Sequence, residues 1–534
     1  MTYQEWIAAY DTLTPEQRDA LRHEVAALAE QPLVSVLMPV YNSNFTFLRE
    51  AIESVRGQIY ANWELCIADD CSTNDETRPF LEEMAKGDSR LKLFLREENG
   101  GIALCSNSAL ALARGEWCAL LDQDDLLAEN AFAEVVREIG RHPEAGLIYS
   151  DEDFVDSLGA RTNPFFKPDW NPELFLGQNY LNHLGVYRTS LLREIGGFRA
   201  GFEGSQDYDL ALRCSARLRG EQIRHLPRVL YHWRMVAGSL ADRPDAKPDA
   251  RHAARRALNS YLQERGIAAR AEACPENAES HRVIYKLPAA RPSVTILGVT
   301  PLPETDYPVL EFIPLEPGAA SANANAERAG GDILVFLGDA VCAAEPGWLS
   351  EIVRQAARPE VGAVGARLWS PEGTLEGGGL ILGLGGIAAP AWRYSPRGHP
   401  GYFNRAWLQQ NLSAVSGSCL AIRRSAFQQL GGFDSENLPH HFYDIDLCLR
   451  LQENRLQIIW TPYASLSLDR VVTDEAANTS PEAEYMRKRW GRILGDDPFY
   501  NPNLSLDLPG FTLAIPPRAN ALQRQPPETG AQGY

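Results

Sequence analysis

Apolar runs alternate with amphipathic stretches along the first half of the chain, and each run ends in polar residues. LVSVLMPVYN (33–42) is followed by the helix-like FLREAIESVRGQ and then by WELCIADD (63–70). LKLFLREENGG, ALCSNSALALARG and EWCALLDQDD repeat this order. Strands with no wet face, separated by helical stretches, are typical of a parallel sheet that is covered on both sides. The pattern therefore predicts an α/β fold with a mostly parallel, Rossmann-like sheet.

One phrase occurs twice and divides the chain. GGFRAGFEGSQDYDLALR (196–213) and GGFDSENLPHHFYDIDLCLR (431–450) both place Asp-x-Asp-Leu-x-Leu-Arg at the start of an amphipathic helix. The apolar pattern restarts at SVTILGVT (293–300), so we interpret the phrase as a domain repeat with copies of about 200 residues. The predicted organisation is an N-terminal helical segment at 1–31, a first domain at 32–240, a linker with a helix at 241–291, a second domain at 292–490 and an irregular C-terminal extension at 491–534.

The charge balance and the cysteines narrow the class of protein. The 534 residues include 70 acidic and 51 basic side chains, a net charge of −19, without a basic block of the kind that follows a phosphate backbone. We therefore expect no nucleic-acid partner. None of the nine cysteines pairs as C-x-x-C, which favours reduced core residues of a cytosolic protein over disulfides or a zinc site.

The sequence predicts no membrane-spanning segment. MTYQEWIAAYDTLT lacks the charged start and apolar run of a signal peptide. GGGLILGLGGIAAPAW (377–392) is too short and too rich in glycine to span a bilayer. Any membrane contact is therefore expected to be peripheral, and the sequence leaves the oligomeric state open.

Acidic residues follow two of the predicted strands, at the sheet edge where parallel sheets bind their ligands. DQDD (122–125) places three carboxylates within four residues. It is either a solvated acidic turn or the site of a hard divalent cation that also holds phosphate oxygens. Asp69-Asp70 is either an Asx-type turn or the group that holds a base or a ribose. Both alternatives stay open on these residues alone.

Two further groups downstream carry candidate chemistry. Asp207 lies at the start of the repeated helix, where Ser205 can cap the helix and keep the carboxylate ionised. Asp207 is then either a general base or a plain acid at a helix terminus. His232 and Arg234 follow the apolar stretch PRVLY. A histidine in such a place is more often structural, whereas the arginine is suited to a bidentate phosphate contact.

Eight segments resemble the family 2 glycosyltransferases, and more narrowly the tandem kind associated with bacterial O-antigen and other surface polysaccharides. They are SVLMPVYN, WELCIADDCSTND, EENGGIALCSNSALALARGEW, LLDQDDLL, LIYSDEDF, PFFKPDW, FEGSQDYDLALR and LPRVLYHWR. The resemblance runs from about Pro32 to Ser239 and continues more weakly from Ser293 to Pro509. It implies two GT-A domains in tandem. It also implies an inverting transfer from a nucleoside-diphosphate sugar to a saccharide or lipid-linked acceptor, at the inner face of the cytoplasmic membrane.

The resemblance implies roles for individual residues as well. Asp207 is expected to be the catalytic base, although the family's usual Glu-Asp pair reads Gln206-Asp207 here. Asp124 and His232 are expected to hold Mn²⁺ or Mg²⁺, which together with a cation such as Arg234 neutralises the leaving diphosphate. The nucleotide-sugar site is expected to include Pro39, Tyr41, Asn42, Asp69, Asp70, Asn107, Asp122 and Arg234.

The second copy departs from this pattern. Alignment of ARGEWCALLDQDD with AGGDILVFLGDAV places Gly338, Asp339, Ala340 and Val341 opposite DQDD. VLEFIPLEPG has no aspartate pair where WELCIADD has one. We therefore predict a metal-dependent glycosyltransferase with one active site, in the first domain, and a degenerate second domain. The alternatives are a carbohydrate-binding protein without activity and an enzyme with two active sites.

Overall fold

The structure is a computed structural model that describes residues 1–235, 248–298, 303–470 and 475–519. The described chain divides into two compact units, residues 1–170 with 179–267 and 518–519, and residues 171–178 with 268–517. The predicted α/β class is confirmed. Residues 241–247 of the predicted linker and 520–534 of the predicted C-terminal extension lie outside the described residues.

The first unit is built on a nine-stranded sheet. Its strands are β1 Val34–Val40, β2 Trp63–Asp69, β3 Leu91–Leu95, β4 Trp117–Leu120, β5 Leu126–Leu127, β6 Leu147–Val155, β7 Arg161–Phe165, β8 Gly185–Arg188 and β9 Ile223–Arg234. Their order is β3-β2-β1-β4-β8-β6-β9-β5, with β7 beside β6. The strands β3, β2, β1 and β4 are parallel, whereas β8 runs against both β4 and β6.

Helices cover this sheet on both faces, since β1 and β2 are buried along almost their whole length. The helices up to residue 264 are α1 Tyr3–Trp6, α2 Pro15–Ala26, α3 Phe45–Arg56, α4 Thr77–Ala85, α5 Gly101–Leu112, α6 Ala131–Arg141, α7 Pro172–Gly177, α8 Thr189–Glu194, α9 Gln206–Ser215 and α10 Pro248–Glu264. Of these, α7 belongs to the second unit. Helix α2 begins at a capping box that Thr14 forms with Gln17, as the Thr-Pro start of that segment indicates.

The register of the parallel strands brings the polar strand ends together. Val34 pairs with Trp63 of β2 and with Trp117 of β4, so β1, β2 and β4 run in step. Their carboxyl ends therefore lie at one edge of the sheet. The residues that follow position 40, position 69 and position 120 meet there, although they come from three separate parts of the chain.

The second unit repeats this architecture. Its strands are β10 Ala269–Ala273, β11 His281–Tyr285, β12 Val294–Gly298, β13 Glu311–Pro314, β14 Ile333–Leu337, β15 Val341–Ala344, β16 Val361–Trp369, β17 Leu375–Gly377, β18 Gly379–Leu382, β19 Ala388–Pro390, β20 Gln410–Asn411, β21 Ala414–Val415, β22 Cys419–Arg423 and β23 Gln457–Leu468. The order of its main sheet is β13-β12-β14-β22-β16-β23-β15. Among the described strands this is the order of the first unit without a counterpart of β3.

The remaining helices of the second unit are α11 Ala319–Arg328, α12 Trp348–Ala356, α13 Arg424–Gln429, α14 Tyr443–Glu453 and α15 Pro481–Gly495. In the parts of the chain that the structure describes, none of the helices is both long enough and apolar enough to cross a membrane. All nine cysteines are free and seven are buried, as their apolar surroundings in the sequence indicate.

Candidate active site

Two adjoining cavities lie at the edge of the first unit's sheet where β1, β2 and β4 end. The outer cavity has a volume of about 440 Å³, and the inner cavity has a volume of about 50 Å³. Pro39, Ile102 and Asp122 line both of them, and Asn182 and His183 line the inner one. The predicted site residues that line one or both cavities are Pro39, Tyr41, Asp70, Asp122, Asp124 and Asp207.

The carboxylates of DQDD point in different directions. Asp125 is buried, and it accepts hydrogen bonds from the Tyr231 hydroxyl at 2.5 Å and from the main-chain N–H of Arg234 at 2.7 Å. Burial and the charge of Asp122 hold the pKa of Asp125 well above its usual range. Asp122 and Asp124 line the outer cavity, and burial raises the pKa of Asp124. Two of the three carboxylates in this loop therefore face the cavity.

Asp70 is held at the start of α5 on the wall of the outer cavity. Its two oxygens accept hydrogen bonds from the main-chain N–H groups of Gly100 at 3.0 Å and Gly101 at 2.8 Å. The Nε atom of Arg96 lies 2.7 Å from the same carboxylate. Charge-assisted contacts of this kind fix the orientation of a carboxylate. Asp70 is therefore a rigid part of the cavity wall.

Asp69 and Asn42, which were predicted beside it, support the loops instead. The Asp69 carboxylate accepts a hydrogen bond from the main-chain N–H of Ser72 at 3.1 Å. The Asn42 side-chain oxygen accepts one from the main-chain N–H of Thr73 at 2.9 Å. Neither residue lines the two cavities. The turn interpretation of Asp69 therefore describes its observed contacts.

Asp207 lies in the first turn of α9 and lines the inner cavity. Its Oδ2 atom accepts hydrogen bonds from the side-chain amides of Asn179, at 3.1 Å, and Asn182. Burial raises the pKa of Asp207, and the charge of His183 opposes this rise. The predicted helix cap is wrong, because the Ser205 hydroxyl donates to a carbonyl of α10 at 2.8 Å and makes no cap bond to α9. A buried carboxylate with a raised pKa has the properties of a general base.

Comparison with known proteins shows which family the region around these cavities resembles. Residues 35–196 match the family model described as Glycosyl transferase family 2. The chain carries a family 2 glycosyltransferase domain. The matched range includes Asp70, Asp122 and Asp124 and ends before Asp207. The resemblance seen in the sequence is therefore confirmed.

The chain is also similar to proteins that are longer than itself. It is 39% identical to the uncharacterized protein y4gI of Sinorhizobium fredii, over 97% of this chain and 62% of that protein. It is 33% identical to the O-antigen biosynthesis protein RfbC of Myxococcus xanthus, over 94% of this chain and 42% of that protein. A solved structure of S. aureus TarS 1–349 in complex with UDP-GlcNAc aligns at 22% identity and a TM-score of 0.35, over 43% of this chain and 66% of that chain.

Arg234 donates a hydrogen bond to the main chain of the DQDD loop (122–125) in the family 2 domain. It is 2% exposed, and its guanidinium donates hydrogen bonds to Glu50 at 2.6 Å and to the Asp124 carbonyl at 2.7 Å. The guanidinium also lies 4.4 Å from the centre of the Phe47 ring. The predicted phosphate contact of Arg234 is not provided by this arrangement, because Nε and one terminal nitrogen donate within the protein and the side chain lines neither cavity.

His232 belongs to a buried network that ties the N-terminal segment to the family 2 domain. Its Nδ1 atom lies 2.6 Å from a carboxylate oxygen of Asp153. The other oxygen of Asp153 accepts hydrogen bonds from the Tyr3 hydroxyl and from Arg161, both at 2.7 Å. Arg161 in turn pairs with Asp11 at 2.6 Å. The structure therefore places His232 away from the two cavities, and it does not bring this predicted metal ligand to the cavity wall beside Asp124.

Asn107 was predicted in the nucleotide-sugar site, but it holds the loop that precedes α9. Its amide group donates to the carbonyl of Phe198 at 2.8 Å, and its side-chain oxygen accepts from the N–H of the same residue at 2.8 Å. Asn107 lines neither cavity. Both polar atoms are bonded to the main chain of one residue, so the structure supports a framework role.

His183 is a residue of the inner cavity that the sequence pattern did not single out. Its Nδ1 atom lies 3.1 Å from Glu152 Oε2. Burial lowers the pKa of His183, but the hydrogen bond and charge of Glu152 and the charges of Asp122 and Asp125 outweigh burial and raise it to about 9. The available signal in the sequence was a polar Asn-His pair that precedes the segment LGVYR.

Proposed function

We propose that the chain transfers a sugar, with inversion, from a nucleoside-diphosphate sugar to a saccharide or lipid-linked acceptor in the biosynthesis of a bacterial surface polysaccharide. The observation that carries this proposal is the buried Asp207 in a cavity that adjoins a second cavity lined by Asp122 and Asp124. Similarity to a protein named for O-antigen biosynthesis supports the choice of pathway. The proposed active site lies in the first unit alone.

A divalent cation fits this site together with substrate oxygens. The described residues contain no group of three or more His, Cys, Asp or Glu side chains placed to hold a metal ion. Mg²⁺ and Mn²⁺ prefer oxygen ligands, and Mg²⁺ is commonly bound by one or two carboxylates together with substrate phosphates. We assign Asp124, with Asp122 beside it, to such an ion. When bound, the ion neutralises negative charge on the leaving diphosphate.

Asp207 is proposed as the base that receives the proton of the acceptor hydroxyl. The amides of Asn179 and Asn182 hold its Oδ2 atom in place. Attack of the acceptor oxygen on the anomeric carbon, opposite the leaving diphosphate, forms one C–O bond as the other breaks. The electron pair of the broken bond remains on the diphosphate oxygen. A single in-line displacement of this kind inverts the anomeric configuration.

A panel of sugar nucleotides tests the proposal. The purified chain is incubated with UDP-, dTDP- and GDP-sugars, with Mn²⁺, Mg²⁺ or EDTA, and with saccharide acceptors. We expect release of a nucleoside diphosphate that needs the cation, and a thermal shift with the same donor. Binding of saccharides without binding of any nucleotide would favour the carbohydrate-binding alternative and overturn the proposal.

A further inference from the structure

The His183 ring is fixed on one side and turned to the inner cavity on the other. Its Nδ1 atom faces Glu152, and its ring stacks on Tyr231 with centroids 4.5 Å apart and an interplanar angle of 17°. Trp233 packs against it at 5.5 Å. Among the residues that the structure describes, the second ring nitrogen, Nε2, has no hydrogen-bond partner. Because Glu152 faces Nδ1 and the charges of Asp122 and Asp125 also favour the imidazolium, His183 holds a proton on both nitrogens, and its Nε2–H is available to a ligand in the inner cavity.

A buried ion pair of Lys167 and Glu152 holds the segment that carries His183. Lys167 is fully buried, and its Nζ atom donates to the main-chain carbonyls of Asn182 at 2.9 Å and His183 at 2.6 Å. The same Nζ atom lies 3.5 Å from Glu152. Glu152 thus contacts both the lysine and the imidazole. A carboxylate beside an imidazole fixes the direction of the ring and stabilises its doubly protonated form.

The charge of the two cavities makes this donor significant. Their lining includes the carboxylates of Asp70, Asp122, Asp124 and Asp207. Of the described residues that line either cavity, His183 is the only one with a basic side chain. A departing diphosphate gains negative charge, which preorganised donors stabilise most strongly inside a cavity. Arg234, the expected donor for this purpose, bonds to Glu50 and to the Asp124 carbonyl and lines neither cavity.

We propose that His183, oriented by Glu152, is a catalytic residue that donates a hydrogen bond from Nε2 to the diphosphate of the sugar donor. This inference rests on the proposed function of the same site. His183 keeps its proton throughout: the acceptor proton goes to Asp207, and the electron pair of the broken C–O bond stays on the diphosphate oxygen. Its contribution is to stabilise that oxygen as the bond breaks.

Nucleotide binding tests the contact without the need for an acceptor. The dissociation constants of UMP and UDP, dTMP and dTDP, and GMP and GDP are measured by calorimetry with Mn²⁺, and the best-bound pair is kept. His183→Gln retains a neutral donor, and His183→Ala removes it. We expect the preference for diphosphate over monophosphate to fall about tenfold or more in His183→Ala and less in His183→Gln, because a hydrogen bond to a charged group is the stronger kind.

His225→Gln is the matched control. His225 is also buried on the first unit and bonded to carboxylates, Asp151 at 2.9 Å and Asp169 at 3.0 Å, but it lines neither cavity. We expect the diphosphate preference of this variant to equal that of the wild type. Glu152→Gln keeps the shape of the side chain beside His183 and removes the charge of the carboxylate. We therefore expect a loss of diphosphate preference between those of the wild type and His183→Ala.

An unchanged diphosphate preference in a folded His183→Ala variant would overturn the inference and leave the proposed function intact. An equal loss of monophosphate and diphosphate affinity would also overturn the inference, because such a loss indicates a structural effect rather than a contact with the diphosphate. If the wild-type chain binds none of these nucleotides, both the inference and the proposed function fail. If His183→Ala does not fold, the diphosphate preference is measured in Glu152→Gln and His183→Gln instead. An unchanged preference in both of these variants would then overturn the inference.

Discussion

The two units hold their frames with the same hydrogen bonds but differ at the edge that carries the cavities in the first unit. Asn107 bonds to both polar groups of Phe198 at 2.8 Å, and Asn323 bonds to both polar groups of Phe433 at 2.8 and 2.9 Å. Tyr60 donates to the Pro32 carbonyl at 2.8 Å, and Tyr307 donates to the Pro292 carbonyl at 2.8 Å. These matched contacts indicate a duplicated framework.

The phrase that occurs twice is largely part of this framework. Arg213 donates to Asp209 one turn earlier at 2.8 Å and to two carbonyls near the start of its GGF segment. Arg450 makes the same three contacts, with Asp446 at 2.7 Å. The second aspartate of each phrase therefore anchors an arginine. The other partners of the second aspartates differ, since Asp209 is bonded to Arg199 and Asp446 to Trp490.

Strand register shows what the second unit lacks at the cavity edge. Trp117 pairs with Arg188 in the first unit, and Ile333 pairs with Arg423 in the second. Counting from these pairs gives the equivalent positions of the two units. Gly338 and Ala340 stand where the first unit has Asp122 and Asp124, and Gly417 and Ser418 stand where it has Asn182 and His183. These small residues supply neither a carboxylate nor an imidazole. The framework and the candidate site thus depend on separate residues. The second unit has retained the framework residues but not the residues of the candidate site.

The largest difference between the units is expected from their first helix aspartates. Asp207→Asn should lower kcat by about 10² or more, as removal of a general base does, while donor affinity stays near the wild-type value. Asp444→Asn is the matched control. Asp444 accepts from the main-chain N–H of Gly417 at 2.6 Å, and it should be dispensable for turnover. Steady-state kinetics decide this, and full activity of the Asp207 variant would remove Asp207 from the role of base.

The pH profile sharpens the same comparison. Since burial raises the pKa of Asp207, the base is protonated and inactive at low pH, and kcat should rise with pH through a value above the ordinary aspartate range near 3.9. Below that value kcat should fall about tenfold per pH unit. The profile of Asp444→Asn should match the wild type, although burial raises the pKa of Asp444 as well. A wild-type kcat that stays level down to about pH 4 would contradict the prediction.

The acidic loops give the next largest contrast. Asp124→Ala should weaken metal-enhanced nucleotide binding by about tenfold or more, because the protein supplies only one or two carboxylates to such an ion, here Asp124 with Asp122 beside it. Asp339→Ala is the control in the second unit, where Asp339 is about half exposed and pairs with Arg470 at 2.5 Å. Its loss should leave binding unchanged and alter stability by less than about 0.5 kcal/mol. Calorimetry with and without Mn²⁺ separates the two, and an equal effect of both variants would refute a single donor site.

The smallest contrast is expected at the shared asparagines. Asn107→Ala and Asn323→Ala each remove two hydrogen bonds to the main chain of one phenylalanine, so each should lower the free energy of unfolding by about 1–3 kcal/mol. Urea denaturation measures this effect. Nucleotide affinity of folded Asn107→Ala should equal that of the wild type. A selective loss of nucleotide affinity in this variant would restore the nucleotide contact that the sequence resemblance implied.

The sequence by itself determined the type of sheet, the duplication and the sheet edge at which the candidate site lies. Continuous apolar strands such as WELCIA have no face that tolerates water, so the sheet must be covered on both sides. Polar groups that directly follow such strands must then gather at one sheet edge, as Asp70, Asp122 and Asp124 do. The loss of DQDD in the second copy was likewise visible in the chain.

Only the tertiary structure decided which polar groups face the cavities. Asp124 and Asp125 are neighbours in sequence, yet Asp125 turns inward because Tyr231 and Arg234 offer it donors from a strand more than a hundred residues away. Arg234 donates a hydrogen bond to Glu50, and Glu152 orients His183. Each of these contacts joins distant segments. Local periodicity and spacing report the face on which a side chain lies, but they carry no information about the distant partner that binds it.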